Sequence, residues 1–257
     1  MPASLPIPAL AAFAGLLGAV LGSFLNVVAW RLPRQESLVR PASRCPSCAT
    51  PIKPWHNLPV VGWLVLRGRC ASCSARISPR YPVVEGATAA LLVAVVLAER
   101  HSDRVWLGVV LVLLLVPITL IDIDHRIIPN KLTLIGAVAA PVLLTVTDPE
   151  ALPANLAWGL GAGGFFTVVW LIKPGGMGLG DAKLAGVLGL FLGRAVAPAL
   201  LVALLVGSLA GAAIMARVGV AEGRKQKVPF GPFLAFGGLV GWFFGDALVE
   251  AYLDSVA

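Results

Sequence analysis

Four cysteines stand in the chain, and all fall between residues 45 and 73: Cys45-Pro-Ser-Cys48, then 21 residues, then Cys70-Ala-Ser-Cys73. Two Cys-x-x-Cys knuckles at that separation suit a four-thiolate, tetrahedral zinc site, because each short knuckle turns both of its sulfurs toward one ion. Such a site has no open coordination position, so the metal would hold shape and do no chemistry. Disulfides and unpaired thiols are the alternatives, and His56, between the knuckles, is a fifth candidate ligand.

Five carboxylates lie inside or beside apolar stretches: Glu85, Asp122, Asp124, Asp181 and Asp246. Ionisable groups in such places are costly and are functional candidates by default. Amide hydrolysis by aspartates needs one ionised carboxylate to activate water and one protonated carboxyl to polarise the scissile carbonyl. Two carboxyls that share a proton take those roles because their titrations are driven apart. Asp122 and Asp124 end an apolar run in Leu120-Ile-Asp-Ile-Asp-His-Arg-Ile-Ile-Pro129. Asp181 follows glycines in Gly176-Met-Gly-Leu-Gly-Asp-Ala-Lys183, where missing side chains let backbone and substrate approach. A glycine-rich turn around Asp181 and a solvated helix end at Asp122 or Asp124 are the plainer readings. Lys183 either steadies Asp181 or contacts substrate, or else anchors at the interface as lysines do. Asn26, inside the first apolar run, bonds a neighbouring backbone or lines the site.

The elements that carry these residues are membrane spans. Of 257 residues 58% are hydrophobic and 13% charged, with mean hydropathy +0.88. Soluble domains run at about 45–50% and about 25%, so a soluble single-domain enzyme is excluded. No Lys or Arg precedes Arg31, so the apolar run 7–30 reads as a retained first helix with its N-terminus outside, not as a cleaved secretory signal. Further spans, each needing roughly 20 apolar residues, are expected at 83–98, 105–121, 132–147, 154–172, 184–197, 198–216 and 233–251. The run 184–216 is about 50 Å long as one helix, and Arg194 and Pro198 break it, so it is divided into two short spans. Eight helices then form an all-α polytopic membrane protein.

Charge agrees with this count. The segments placed inside, 31–82, 122–131, 173–183 and 217–232, carry nine, two, two and four Lys/Arg, leaving only Arg100, Arg104 and Arg194 outside. That is a strong positive-inside bias. A single span over 184–216 would put Arg217, Arg224, Lys225 and Lys227 outside. Both aspartate segments then lie on the cytosolic face, where Asp122 or Asp124 can meet Asp181. The chain divides into a first helix (1–30), a cytosolic insert (31–82) and a membrane core (83–257). The insert, about 50 residues long, is too small to build much of a core, so a metal would supply folding energy, and a reducing cytosol disfavours disulfides. Pairs such as Gly207/Gly211 and Gly237/Gly241 allow close helix packing.

At these residues the chain closely resembles the bacterial type IV prepilin peptidases, also called leader peptidase/N-methyltransferases. Gly22-Ser-Phe-Leu-Asn-Val-Val28 with Arg31-Leu-Pro33 resembles the family's N-terminal signature, and the two knuckles resemble its zinc motif. Asp122 followed by Pro129 matches its first catalytic motif. Gly178-Leu-Gly-Asp181-Ala-Lys183 matches the Gly-x-Gly-Asp motif shared with presenilin-like aspartyl proteases. Pro229-Phe-Gly-Pro-Phe-Leu234 resembles its last motif. The resemblance implies an inner-membrane enzyme with Asp122, in preference to Asp124, and Asp181 as catalytic residues, and Gly178, Gly180 and Lys183 in the active-site loop. It implies structural Zn2+ on Cys45, Cys48, Cys70 and Cys73. The implied substrates are prepilins or pseudopilins, cleaved after a glycine and then N-methylated with S-adenosylmethionine; no Gly-x-Gly-x-x-Gly cradle for that donor is visible. Membrane lipid is an expected partner and nucleic acid is not.

Three other functions compete. A proton-coupled transporter would use the carboxylates as a relay, but such proteins often show internal repeats and mid-membrane carboxylates. A non-enzymatic zinc scaffold explains the insert and leaves the aspartates idle. A serine or metallo intramembrane protease is disfavoured: only His56, His101 and His125 exist, with no His-Glu-x-x-His.

Overall fold

Long apolar runs with few charges have one stable form in lipid, the helix, because every backbone N–H and C=O must be bonded internally. A computed structural model describes residues 6–173, 175–223, 226 and 228–256, and among them helices are the only extended elements, with two isolated β-bridges. Arg224, Lys225 and Lys227, part of the charge cluster above, lie outside the described residues.

The helices are α1 (Ile7–Arg31), α2 (Val61–Val65), α3 (Arg80–Ala98), α4 (Val105–His125), α5 (Asn130–Thr147), α6 (Leu152–Ile172), α7 (Leu179–Leu192), α8 (Val196–Val218), α9 (Val220–Gly223) and α10 (Gly231–Val256). A 3-10 turn spans Pro54–Asn57 and another Gly193–Ala195. The chain forms two units, 1–105 and 106–257.

In the first unit α1 and α3 pack antiparallel along small residues. A Cβ on Gly15 would meet Val93, on Gly18 the backbone of Ala89, and on Gly22 the backbone of Glu85. One turn on, the Asn26 side chain donates to the Gly22 carbonyl (3.3 Å) and to the Tyr81 carbonyl of α3 (3.4 Å). Asn26 therefore joins two helices through backbone. Residues 83–98 thus lie beside the first helix.

The second unit is built the same way. Gly159 and Gly163 of α6 meet Gly186 and Gly189 of α7 backbone to backbone, Gly237 and Gly241 of α10 meet Ala203 and Ala199 of α8, and Gly245 meets Ala195 in the turn before α8. Small residues are what permits this approach in lipid. Gly207 contacts Phe230 and Phe233, while nothing lies within reach of Gly211.

Seven helical runs are long and apolar enough to cross a membrane when Leu179–Val218 is taken as one. Within that run the direction reverses. Asp181 starts α7 near the beginning of α10, Arg194 sits against Asp246 and Glu250 near its end, and α8 returns antiparallel to α10 as far as Gly207 beside Phe230. The run is therefore two antiparallel helices, α7 and α8, divided where the sequence was expected to divide it. The break is at Gly193, whose φ of +55° glycine adopts without strain. Pro198, expected to break the run, sits in the first turn of α8, where its missing N–H costs nothing. Most helices also run a few residues past the apolar stretches. The largest shifts are five residues: α7 spans Leu179–Leu192 and not 184–197, and α10 ends at Val256 and not 251.

Candidate functional site

Three helices set the aspartates. A Cβ on Gly238 of α10 would meet Leu188 of α7 at 2.6 Å and Leu115 of α4 at 3.4 Å, so the three helices touch at one level. Seven residues, two helical turns on nearly the same face, separate Leu115 from Asp122, Leu188 from Asp181 and Gly238 from Gly231. α4 runs toward that end while α7 and α10 run away from it. Asp122, Asp181 and Gly231 therefore arrive together, and the two carboxyls are near enough for their charges to interact.

Both side chains are buried, Asp122 at 4% exposure and Asp181 at 8%. Asp124, two residues on, faces outward with Ile123. Each buried carboxylate takes its bond from the start of a helix, where backbone N–H groups lack partners. Asp122 Oδ2 accepts the Gly231 N–H at 2.8 Å, and Asp181 Oδ2 accepts the Gly178 N–H at 3.0 Å, as a residue at the third helical position does in a capping box. Gly178 is the N-cap of α7, and Gly180 and Lys183 lie within the helix, so the expected glycine-rich loop is a helix start. Gly180 faces Ile128 closely: a Cβ there would lie 3.0 Å from Ile128 Cβ, tighter than most real contacts. Lys183 reaches neither aspartate and donates to Asn130 Oδ1 at 2.9 Å. Gly180 and Lys183 thus fasten α7 to the α4–α5 connection.

Placement at the ends of α4 and α7 differs from the mid-membrane carboxylates of many transporters. Two other acids of the five have separate partners. Glu85, buried, accepts the Val60 N–H at 2.6 Å, and Asp246 pairs with Arg194 at 2.9 Å. The Gly231 N–H and Asn130 were not evident from sequence, since a backbone donor carries no residue type and Asn130 lies 53 residues from its partner.

The thiolates form a separate cluster in the first unit. All four sulfurs lie within 4.8 Å of one another, and Cys45 and Cys73 are 3.8 Å apart. A zinc–sulfur bond of about 2.3 Å implies a tetrahedral edge of about 3.8 Å, and the cysteines are free, with sulfurs too far apart for disulfides. The residues fit zinc. The knuckles are near copies: the Cys45 and Cys70 N–H groups bond the Thr50 and Ala75 carbonyls, and Ala49 and Ser74 both take a positive φ. Within the cluster the thiols titrate apart: Cys48, hydrogen-bonded with Thr50, is held down to about 6, while Cys73 beside it is pushed up to about 12. His56 is no part of the cluster.

Comparison with known proteins places these features in context. Residues 16–98 match the bacterial peptidase A24 N-terminal domain, and residues 109–216 match the type IV leader peptidase family. The prepilin leader peptidase/N-methyltransferase of Pseudomonas aeruginosa is 36% identical, covering 93% of this chain and 92% of its own. Those of Myxococcus xanthus (37%; 86% and 68%) and Bacillus subtilis (31%; 93% and 96%) are also similar. No solved structure matches.

Proposed function

Because the chain belongs to the type IV leader peptidase family, we propose that it removes the leader from prepilin-type substrates by aspartate-driven hydrolysis and N-methylates the new terminus. Asp122 and Asp181 are the catalytic pair. The supporting observation is their joint burial at one level, each with its Oδ2 bonded to a helix-start N–H. The other oxygen of each is left for water and substrate.

The ionised carboxylate takes a proton from water as the water oxygen bonds the scissile carbonyl carbon. The protonated partner gives its proton to the carbonyl oxygen. The tetrahedral species then collapses: one hydroxyl proton returns to the carboxylate that gave it, the C–N bond breaks, and the carboxyl that took water's proton passes it to the leaving amine. The pair returns to sharing one proton. Gly178 keeps the space beside Asp181 Oδ2 free of a side chain, Gly180 lets α7 seat against Ile128, and Lys183 positions α7 through Asn130.

The membrane core carries hydrolysis, and the 31–82 insert is associated with methyl transfer, for which S-adenosylmethionine supplies the methyl group. The described residues offer no strand-borne glycine turn to cradle that donor. Zinc on Cys45, Cys48, Cys70 and Cys73 would hold the insert's shape. Prepilins and pseudopilins are the substrates, lipid is the surrounding partner, and nucleic acid plays no part. The positive-inside bias supports an outside N-terminus and a cytosolic catalytic end, where a basic leader would meet the pair. The deciding experiment is leader removal from a prepilin by membranes holding Asp122→Asn or Asp181→Asn, and full activity in either variant refutes the pair.

A further inference from the structure

Between the two zinc knuckles the chain forms a tongue, Pro54–Gly68, that serves neither the metal nor the aspartates. Its large side chains divide by direction. Trp63 turns inward, donating its indole N–H to the Ile77 carbonyl at 3.1 Å and lying where a Cβ on Gly68 would fall. Trp55, Leu58, Val61, Leu64 and Val65 turn outward, and each is more than half exposed. Those exposures are like those of Phe13 and Leu16 on the outer face of α1, a membrane-crossing helix. In an aqueous module so many adjoining exposed apolar groups mark an interaction surface.

Two further observations say what covers it. The first is depth. The Val60 N–H, at the root of α2, donates to Glu85 of α3. Glu85 stands five residues inside a helix that starts at Arg80, about 8 Å along its axis. Interfacial apolar faces sit about 5–10 Å into the headgroup boundary. Val60 holds this turn at φ +62°, a conformation β-branched residues avoid, so the clasp fixes the tongue's root beside the span. The second is charge. The insert 31–82 has nine Lys/Arg and a single acid, Glu36. Lys53, Arg67 and Arg69 flank the apolar face, all exposed, with Lys53 over the Trp55 ring. An apolar face rimmed by cations, with an aromatic beside them, is the composition of a helix lying in an anionic interface.

We propose that the Pro54–Gly68 tongue lies in the headgroup region of an anionic bilayer, apolar side down, and so docks the zinc module on the membrane surface. The inference rests on the spans and the tongue and does not depend on the catalytic assignment.

The test uses the full chain reconstituted in phosphatidylcholine bilayers with or without phosphatidylglycerol. Bimane is attached at Leu64→Cys, and at Glu36→Cys as the water-side control; the parent chain treated identically gives the background of the native thiols. Lipids carrying a spin label high on the acyl chain should quench the Leu64→Cys probe at least about threefold more than the control, and more again with phosphatidylglycerol present. Val65→Cys probes the same face if Leu64→Cys loses the elution profile of the parent. Equal quenching at both sites, with rapid labelling of Leu64→Cys by a membrane-impermeant maleimide, overturns the proposal by placing the tongue in water. Protection from the maleimide without lipid quenching also overturns it, since the face is then covered by protein.

Discussion

The carboxylate of Asp122, in the last turn of α4, accepts the backbone N–H of Gly231, the first residue of α10 and 109 positions away in sequence. The bond closes α4 onto α10 two turns beyond their contact at Leu115 and Gly238. It orients one aspartate with a backbone donor, which only proline among the residue types would remove.

Replacing Asp122 or Asp181 with Asn keeps an acceptor oxygen for the Gly231 or Gly178 N–H, so the fold should persist while proton transfer is lost. Leader cleavage should fall by about 10³-fold or more for either single variant. Methyl transfer to a substrate that already has its free terminus should continue. A gel-shift assay of prepilin, with methyl incorporation on a pre-cleaved acceptor, checks both outcomes.

Gly231→Ala should damage cleavage although the residue has no side chain to contribute. Its Cβ would lie 2.7 Å from Asp122 Oδ2, closer than real contacts allow, and a tight 3.1 Å from Cγ, so the carboxylate must move. A displacement of about 1 Å costs about 10²-fold in rate. The expected signature is a lower kcat for prepilin with nearly unchanged KM.

Lys183 and Asn130 act as one tie, so their effects should not add. Lys183→Met and Asn130→Ala should each slow cleavage modestly, by about tenfold at most, and the double variant should be no slower than the slower single. Additive losses in this cycle would assign Lys183 a role on the substrate instead.

Zinc should be held by the insert only while all four thiolates are intact. Cys45→Ser should lose the metal and expose residues 31–82 to protease, because a module of that size depends on its ion to fold. Lowering the pH should also release zinc, since protons compete for the sulfurs. Metal content by elemental analysis and limited proteolysis read the outcome, with leader cleavage by the membrane core expected to continue.

Much was legible in the sequence because it lies in residue type and local spacing. Apolar length announces membrane helices, the distribution of Lys and Arg announces their alternation, and two Cys-x-x-Cys pairs announce a metal site without knowledge of the fold. The break in the 184–216 run was legible too, though its cause was not: a positive φ at Gly193 turns the chain, and Pro198 fits the helix that follows. Burial was beyond sequence. Asp122 and Asp124 sit two positions apart in the same apolar context, and only the packing of α4 against α10 puts one inside and the other out. The same holds for Glu85, turned to the root of the tongue, and for Lys183, which bonds Asn130 and neither aspartate. Which partner a polar group finds depends on where distant helices touch, and glycines that let backbones meet decide that.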